Sequence, residues 1–143
     1  MIIYLDTSAL VKLFLDEQHS DAVRQWAEES AKVMVSQLSW TETCAALALK
    51  KRTGQISAAQ VDATLAALHQ DWPRYQRLAT DAGLFSEAGA LALRLDLRAY
   101  DSVQLASACR VFAVTGPALS FCSFDRKLNT AAQALGMPVI TAG

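Results

Sequence analysis

Met1-Ile2-Ile3-Tyr4-Leu5-Asp6-Thr7-Ser8 opens the chain, and the reading of this stretch decides the fold. An apolar, β-branched run ends abruptly in an acid and two hydroxyls. No polar residue alternates with the apolar ones over Ile2 to Leu5, so the run reads as a short strand buried on both faces. The helix-period spacing of Leu10, Val11, Phe14 and Leu15 begins directly after Ser8. A doubly covered strand feeding a helix is the unit of an open α/β sheet. Such sheets bind ligands outside the carboxyl ends of their strands, where Asp6 falls.

The same alternation continues along the chain. A strand at about 2–6 is followed by helices at about 8–15 and 20–31, then by a buried strand at 33–35. A helix spans about 37–52 and ends at Thr53-Gly54, a glycine C-cap signal. Another covers 57–68 and stops at Trp72-Pro73; a weaker strand covers 75–80. Helices at 84–95 and about 100–114 are joined by Leu97-Arg98-Ala99, and Gly116-Pro117 ends the second. A strand at 118–122, a helix at 125–135 and a last short strand at 138–140 complete the pattern. Strands alternating with helices imply a parallel sheet with helices on both faces and right-handed crossovers.

At 143 residues, 52% of them hydrophobic, the chain is expected to be one compact domain over 1–143. No apolar run approaches the roughly 20 residues a bilayer span needs, and a membrane role is not expected. Asp6 interrupts what would be the apolar core of a signal peptide, so a cytoplasmic protein is expected. Cys44, Cys109 and Cys122 show no paired spacing and read as reduced core thiols. His19 and His69 are isolated, which gives zinc ligation no support. The net charge is −1. A polyanion therefore has to meet a local basic patch, from Lys50-Lys51-Arg52, Arg94 with Arg98, or Arg126-Lys127. Each of these, taken alone, reads as a solvated helix face.

Three acids sit where apolar residues are expected, beside Asp6 at its strand end. Glu42 is in phase with Leu38, Ala45, Ala46 and Leu49, Asp101 with Leu105, Ala108, Cys109 and Phe112, and Asp125 with Leu128, Ala132 and Leu135. Buried carboxylates are kept only when paired, protonated or bound to metal. Taken singly, Asp6, Asp101 and Asp125 are better explained as helix N-caps. Glu42 lies a full turn inside its helix, where the competing explanation is a salt bridge to Lys or Arg. Together the acids converge if the strands at 2–6 and 118–122 are neighbours, with Ser8 and Ser123 each two residues from an acid. Clustered carboxylates repel one another, and a hard divalent cation removes that repulsion. All-oxygen donors without His or Cys suit Mg²⁺ or Mn²⁺, and the chemistry that follows is phosphodiester hydrolysis by an activated water.

Leu5-Asp6-Thr7-Ser8-Ala9-Leu10, Glu42 with Ala45-Ala46, Leu97 to Ala106 around Asp101, and Ser123-Phe124-Asp125-Arg126-Lys127-Leu128 resemble, in order and spacing, the successive motifs of PIN-domain ribonucleases. The arrangement is most similar to the VapC-like toxins of type II toxin–antitoxin pairs. The resemblance implies a three-layer α/β/α sandwich around a five-stranded parallel sheet in the order 3-2-1-4-5. It implies metal-binding catalytic acids at Asp6, Glu42, Asp101 and Asp125, and a supporting hydroxyl at Ser8. It also implies an RNA substrate, homodimers and a neutralising antitoxin. Ser123 takes a position where the family often has Thr or Ser. Arg98 reads either as a fork for substrate phosphate or as the partner of a structural carboxylate. Tyr100 reads either as a ring that stacks on a substrate base or as a side chain that packs at the start of its helix, with packing preferred. Two rivals stand beside this reading. One is a non-catalytic PIN-like module that binds RNA or a partner. The other is a phosphoacceptor domain with Asp6 as acceptor; it lacks the lysine such a domain needs at a late strand end, where Cys122-Ser123 and Ile140-Thr141 stand.

Overall fold

The computed structural model describes residues 1–142. Strand β1 (Ile2–Leu5) lies inside the sheet, parallel to β2 (Lys32–Ser36) on one side and β4 (Leu119–Cys122) on the other; β3 (Gln76–Leu78) extends the sheet beyond β2. The order is β3-β2-β1-β4. Ile3 pairs with Val33 and Ser120, and Tyr4 with Met34 and Phe121.

Among the described residues four strands form this sheet, where five were expected. The 138–140 segment contributes one isolated parallel bridge, Phe121 to Val139. Phe121 N–H donates to the Pro138 carbonyl (2.8 Å) and Ile140 N–H to the Phe121 carbonyl (3.0 Å). Pro138 has no N–H to offer, so pairing cannot extend towards the amino end of the segment.

Helices α1 (Thr7–Phe14), α2 (Ser20–Glu29), α3 (Leu38–Arg52), α4 (Ala58–Asp71), α5 (Ala82–Leu95), α6 (Ala99–Thr115) and α7 (Arg126–Ala134) cover both faces. Successive residues of a strand point to opposite faces. Tyr4 joins Phe121, Leu105 and Ala108 of α6 and Leu128 of α7 in one core. Ile3 and Leu5 join Leu10 of α1, Val23 of α2 and Leu68 of α4 in the other. Each such fully buried side chain contributes about 1.5–3 kcal/mol. This two-sided burial is why β1 carries no polar residue until Asp6. Gly54 takes φ 78° just beyond α3, the left-handed conformation that a glycine stop provides. Of the three thiols only Cys122 is fully buried; Cys44 and Cys109 are half-buried, against the expectation of core positions. Among the described residues no helix is long and apolar enough to cross a membrane.

Candidate active site

The end of β1 is stitched to the end of β4, since Asp6 N–H donates to the Cys122 carbonyl at 3.1 Å. Asp6 is both a cap and the centre of a polar cluster. Its Oδ1 accepts from Ala9 N–H (3.0 Å), capping α1, and from the Ser8 hydroxyl (2.6 Å). Its Oδ2 accepts from the Ser123 hydroxyl at 2.5 Å. Ser123 Oγ in turn accepts from Asp125 N–H (3.0 Å), and Ser8 Oγ from Phe124 N–H (2.9 Å). The two hydroxyls therefore bind the β1 and β4 loops to each other through one carboxylate. Asp6 is 5% exposed. Burial pushes its carboxyl up from 3.8 to about 6, against the pull of the Ser123, Ser8 and Ala9 hydrogen bonds, and the Glu42 charge adds to the rise.

Asp125 caps α7 through Leu128 N–H (3.0 Å), and its Oδ2 faces Arg98 Nη2 at 3.5 Å. Asp101 is not a cap. It is the third residue of α6, and its Oδ2 accepts from Arg98 Nε at 3.0 Å. Arg98 occupies the cap position and spans both acids with an 80% exposed side chain. Asp101 first, then Asp125 and Glu42, hold the Arg98 guanidinium above its ordinary pKa.

Glu42 departs from expectation in its placement, and the competing salt bridge is not formed. Its helix buries Ser39, Thr43 and Leu47, while Ala45 and Leu49 are exposed, so Glu42 stands half-buried at the margin of the inner face. No Lys or Arg pairs with it among the described residues. Its Oε1 accepts from the Thr7 hydroxyl (2.8 Å) and from Gln104 Nε2 (2.7 Å). Gln104 is buried, accepts from Tyr4 O–H at 2.7 Å, and donates also to Ser39 Oγ at 2.9 Å. Tyr4, Gln104, Ser39 and Thr7 thus orient Glu42, and sequence reasoning missed all four in this role. The available signal was Gln104 itself, a polar residue three positions after Asp101 on the same helix face. Tyr100, expected to pack, is 63% exposed and lines a cavity of about 250 Å³ with Glu42, Arg98, Ala99 and Asp101. A larger cavity of about 730 Å³, beside Arg24, Lys32 and Tyr75, holds none of the four acids.

Asp6 is thus tied to the Asp125 loop, Asp101 and Asp125 meet at Arg98, and Glu42 approaches through Thr7. Among the described residues, however, no group of three or more His, Cys, Asp or Glu side chains is close enough to hold a metal ion. The donor chemistry still fits a hard divalent cation, because every donor is a carboxylate or hydroxyl oxygen. Asp6 is a desolvated acid that a cation would ionise, and Asp101 and Asp125 already attract the positive charge of Arg98, whose long exposed side chain is free to turn out.

The PIN-domain family profile matches residues 3–134. Ribonuclease VapC46 of Mycobacterium tuberculosis (strain ATCC 25618 / H37Rv) is 33% identical over 138 residues, covering 96% of this chain and 95% of that protein. The fold is shared with FitAcB from Neisseria gonorrhoeae (TM-score 0.68, 18% identity, 97% of this chain and 96% of that one). It is shared also with a toxin–antitoxin complex from Klebsiella pneumoniae (TM-score 0.63, 18% identity, 97% and 96%). The chain belongs to the PIN-domain family, as a VapC-like member.

Proposed function

We propose that this chain is an endoribonuclease dependent on Mg²⁺ or Mn²⁺, acting as the toxin of a toxin–antitoxin pair. The observation that carries the reading is Asp6: a buried carboxylate at the joined ends of β1 and β4, braced by two hydroxyls, feeling the Glu42 charge and tied through Ser123 to the Asp125 loop, where Arg98 spans Asp101 and Asp125. Asp6, Asp101 and Asp125 would hold the cation, with Glu42 as a further ligand or as anchor of its water shell. Bound there, the cation supplies an activated water nucleophile and charge neutralisation at the phosphodiester. The chain's own residues do the rest. Ser8 and Ser123 fix both oxygens of Asp6, and Gln104 with Thr7 fixes one oxygen of Glu42, so the acids are oriented before substrate arrives. Arg98, released from Asp101 and Asp125, is placed to fork a substrate phosphate.

RNA as substrate is supported by the ribonuclease name of the relative, and an antitoxin partner by the toxin–antitoxin complex among the structural neighbours. The same reading includes a single nuclease domain over 1–143, a homodimer, and action in the cytoplasm. The test is cleavage of labelled single-stranded RNA, and of DNA of the same sequence, with Mn²⁺ or with chelator. Internal cleavage of RNA only, and only with metal, is expected; intact RNA in Mn²⁺ refutes it. The second reading, a non-catalytic module that binds RNA or a partner, is favoured by the absence of a ready three-acid cluster among the described residues. It predicts RNA binding that is indifferent to metal, and no cleavage.

A further inference from the structure

Beside Thr7 and Ser8 lies a second charged cluster. Lys50 Nζ reaches Glu17 Oε2 at 2.6 Å, and Lys12 Nζ reaches Glu17 Oε1 at 3.5 Å. The three side chains are only 14–25% exposed. Lys12 also donates to the Gln18 carbonyl (2.9 Å) and lies 4.7 Å from the centre of the Phe124 ring, whose position is further fixed by stacking on His19. Burial would raise the Glu17 carboxyl, but Lys50 and then Lys12 override it and hold it below its ordinary value. Glu17 is therefore a fixed anion, and two ammoniums share it.

That leaves one positive charge, partly desolvated, without a salt-bridge partner of its own among the described residues. Such a charge is unfavourable unless an anion completes it. It faces an open cavity of about 250 Å³ lined by Thr7, Ser8, Lys12, Glu17, Lys50 and Phe124. Two of its lining residues touch the acids directly: Ser8 donates to Asp6 and Thr7 to Glu42. A polyanion directed at four carboxylates needs fixed cations beside them, and the chain as a whole, at −1, does not supply them.

Resting on the ribonuclease reading above, we infer that Lys12 and Lys50, bridged by Glu17, form an anion subsite that takes a backbone phosphate of the RNA next to the scissile bond. Lys50 is the donor free to turn, because Glu17 keeps Lys12 as partner when Lys50 moves. Lys12 is held by Gln18 and Phe124 and acts as the fixed charge.

The test is steady-state RNA cleavage in Mn²⁺ across a salt series, for wild type, Lys50→Gln, Lys50→Arg and Lys51→Gln. Lys51 is exposed on the same helix and serves as the control. Lys50→Gln is expected to raise KM about 10-fold, as for a lost charged hydrogen bond, with kcat at saturating RNA retained. It should also flatten the slope of log kcat/KM against log salt by about 0.7, the value of one single-strand phosphate contact. Lys50→Arg should restore the slope, and Lys51→Gln should match wild type. Wild type that cleaves RNA while Lys50→Gln keeps the wild-type KM and slope overturns the subsite alone, and is the result expected if the pocket takes a carboxylate of a protein partner instead. Wild type that cleaves no RNA overturns the ribonuclease reading and this subsite with it.

Discussion

Replacing Asp6 with Asn removes a charge while keeping the shape of the side chain. The Asn carbonyl can accept from Ala9 N–H and Ser8 as Oδ1 does now, and its NH₂ can donate to Ser123 Oγ once that hydroxyl turns. The carboxyl is raised from 3.8 to about 6 in the folded chain. Below the ordinary value both folded and unfolded chains hold the proton. As pH rises through the window from 3.8 to about 6 the unfolded chain ionises first, so stability is lost, and above about 6 the loss is complete. Roughly two pH units at 1.36 kcal/mol each make this loss at most about 3 kcal/mol at neutral pH. Asp6→Asn, without metal, should be more stable than wild type by up to that amount, which raises the melting temperature by ~6–12 °C for a chain of this size. The gap should close at pH 4, where wild type is protonated. The assay is thermal unfolding by circular dichroism in chelator at pH 4 and pH 7.5, repeated with Mn²⁺, which should stabilise wild type and not the variant. A variant that melts below wild type at pH 7.5 in chelator would refute the idea that Asp6 is a strained charge waiting for a cation.

Glu42→Gln can still accept from Thr7 and Gln104 through its amide oxygen, so its metal-free stability should stay within ~1 kcal/mol of wild type while Mn²⁺ affinity and cleavage fall ~10–100-fold; melting curves and calorimetry check both. Gln104→Leu leaves Tyr4 O–H without its acceptor and removes one of the two donors to Glu42, the Thr7 hydroxyl remaining, and should destabilise by ~1–3 kcal/mol, read from denaturant unfolding. Arg98→Ala should tighten Mn²⁺ binding in calorimetry, because the guanidinium no longer competes for Asp101 and Asp125, yet weaken RNA binding and flatten its salt dependence.

The position of Asp6 was legible because β1 is uniformly apolar until it, and that uniformity has one physical cause, burial on both faces. The strand that becomes β4 was legible from its own apolar run, but its place beside β1 came only with the family resemblance, and the bond from Ser123 to Asp6 was not foreseen. The fifth strand was not legible, because its pattern is apolar while its pairing is limited by the missing amide of Pro138. Helix α3 misled for a different reason. Its inner face is built from Ser39, Thr43 and Leu47, and Ser39 is buried as the acceptor of Gln104, not as an apolar residue. The Tyr4–Gln104 bond joins residues 100 positions apart, and no local periodicity reports such a contact. Arg98 could be placed beside Asp101 from the helix pattern, but its reach to Asp125 depends on how α6 and α7 pack.

The central claim is that these acids hold a divalent cation, and diffraction from crystals soaked in Mn²⁺, with the anomalous signal mapped, tests it most directly. A peak is expected within about 2.5 Å of an Asp6 carboxylate oxygen, the range of oxygen–cation bonds. It should be shared with Asp101 or Asp125, with Arg98 turned away from both. A map without a peak among Asp6, Asp101 and Asp125, in protein that has soaked up Mn²⁺ elsewhere or not at all, would contradict the account.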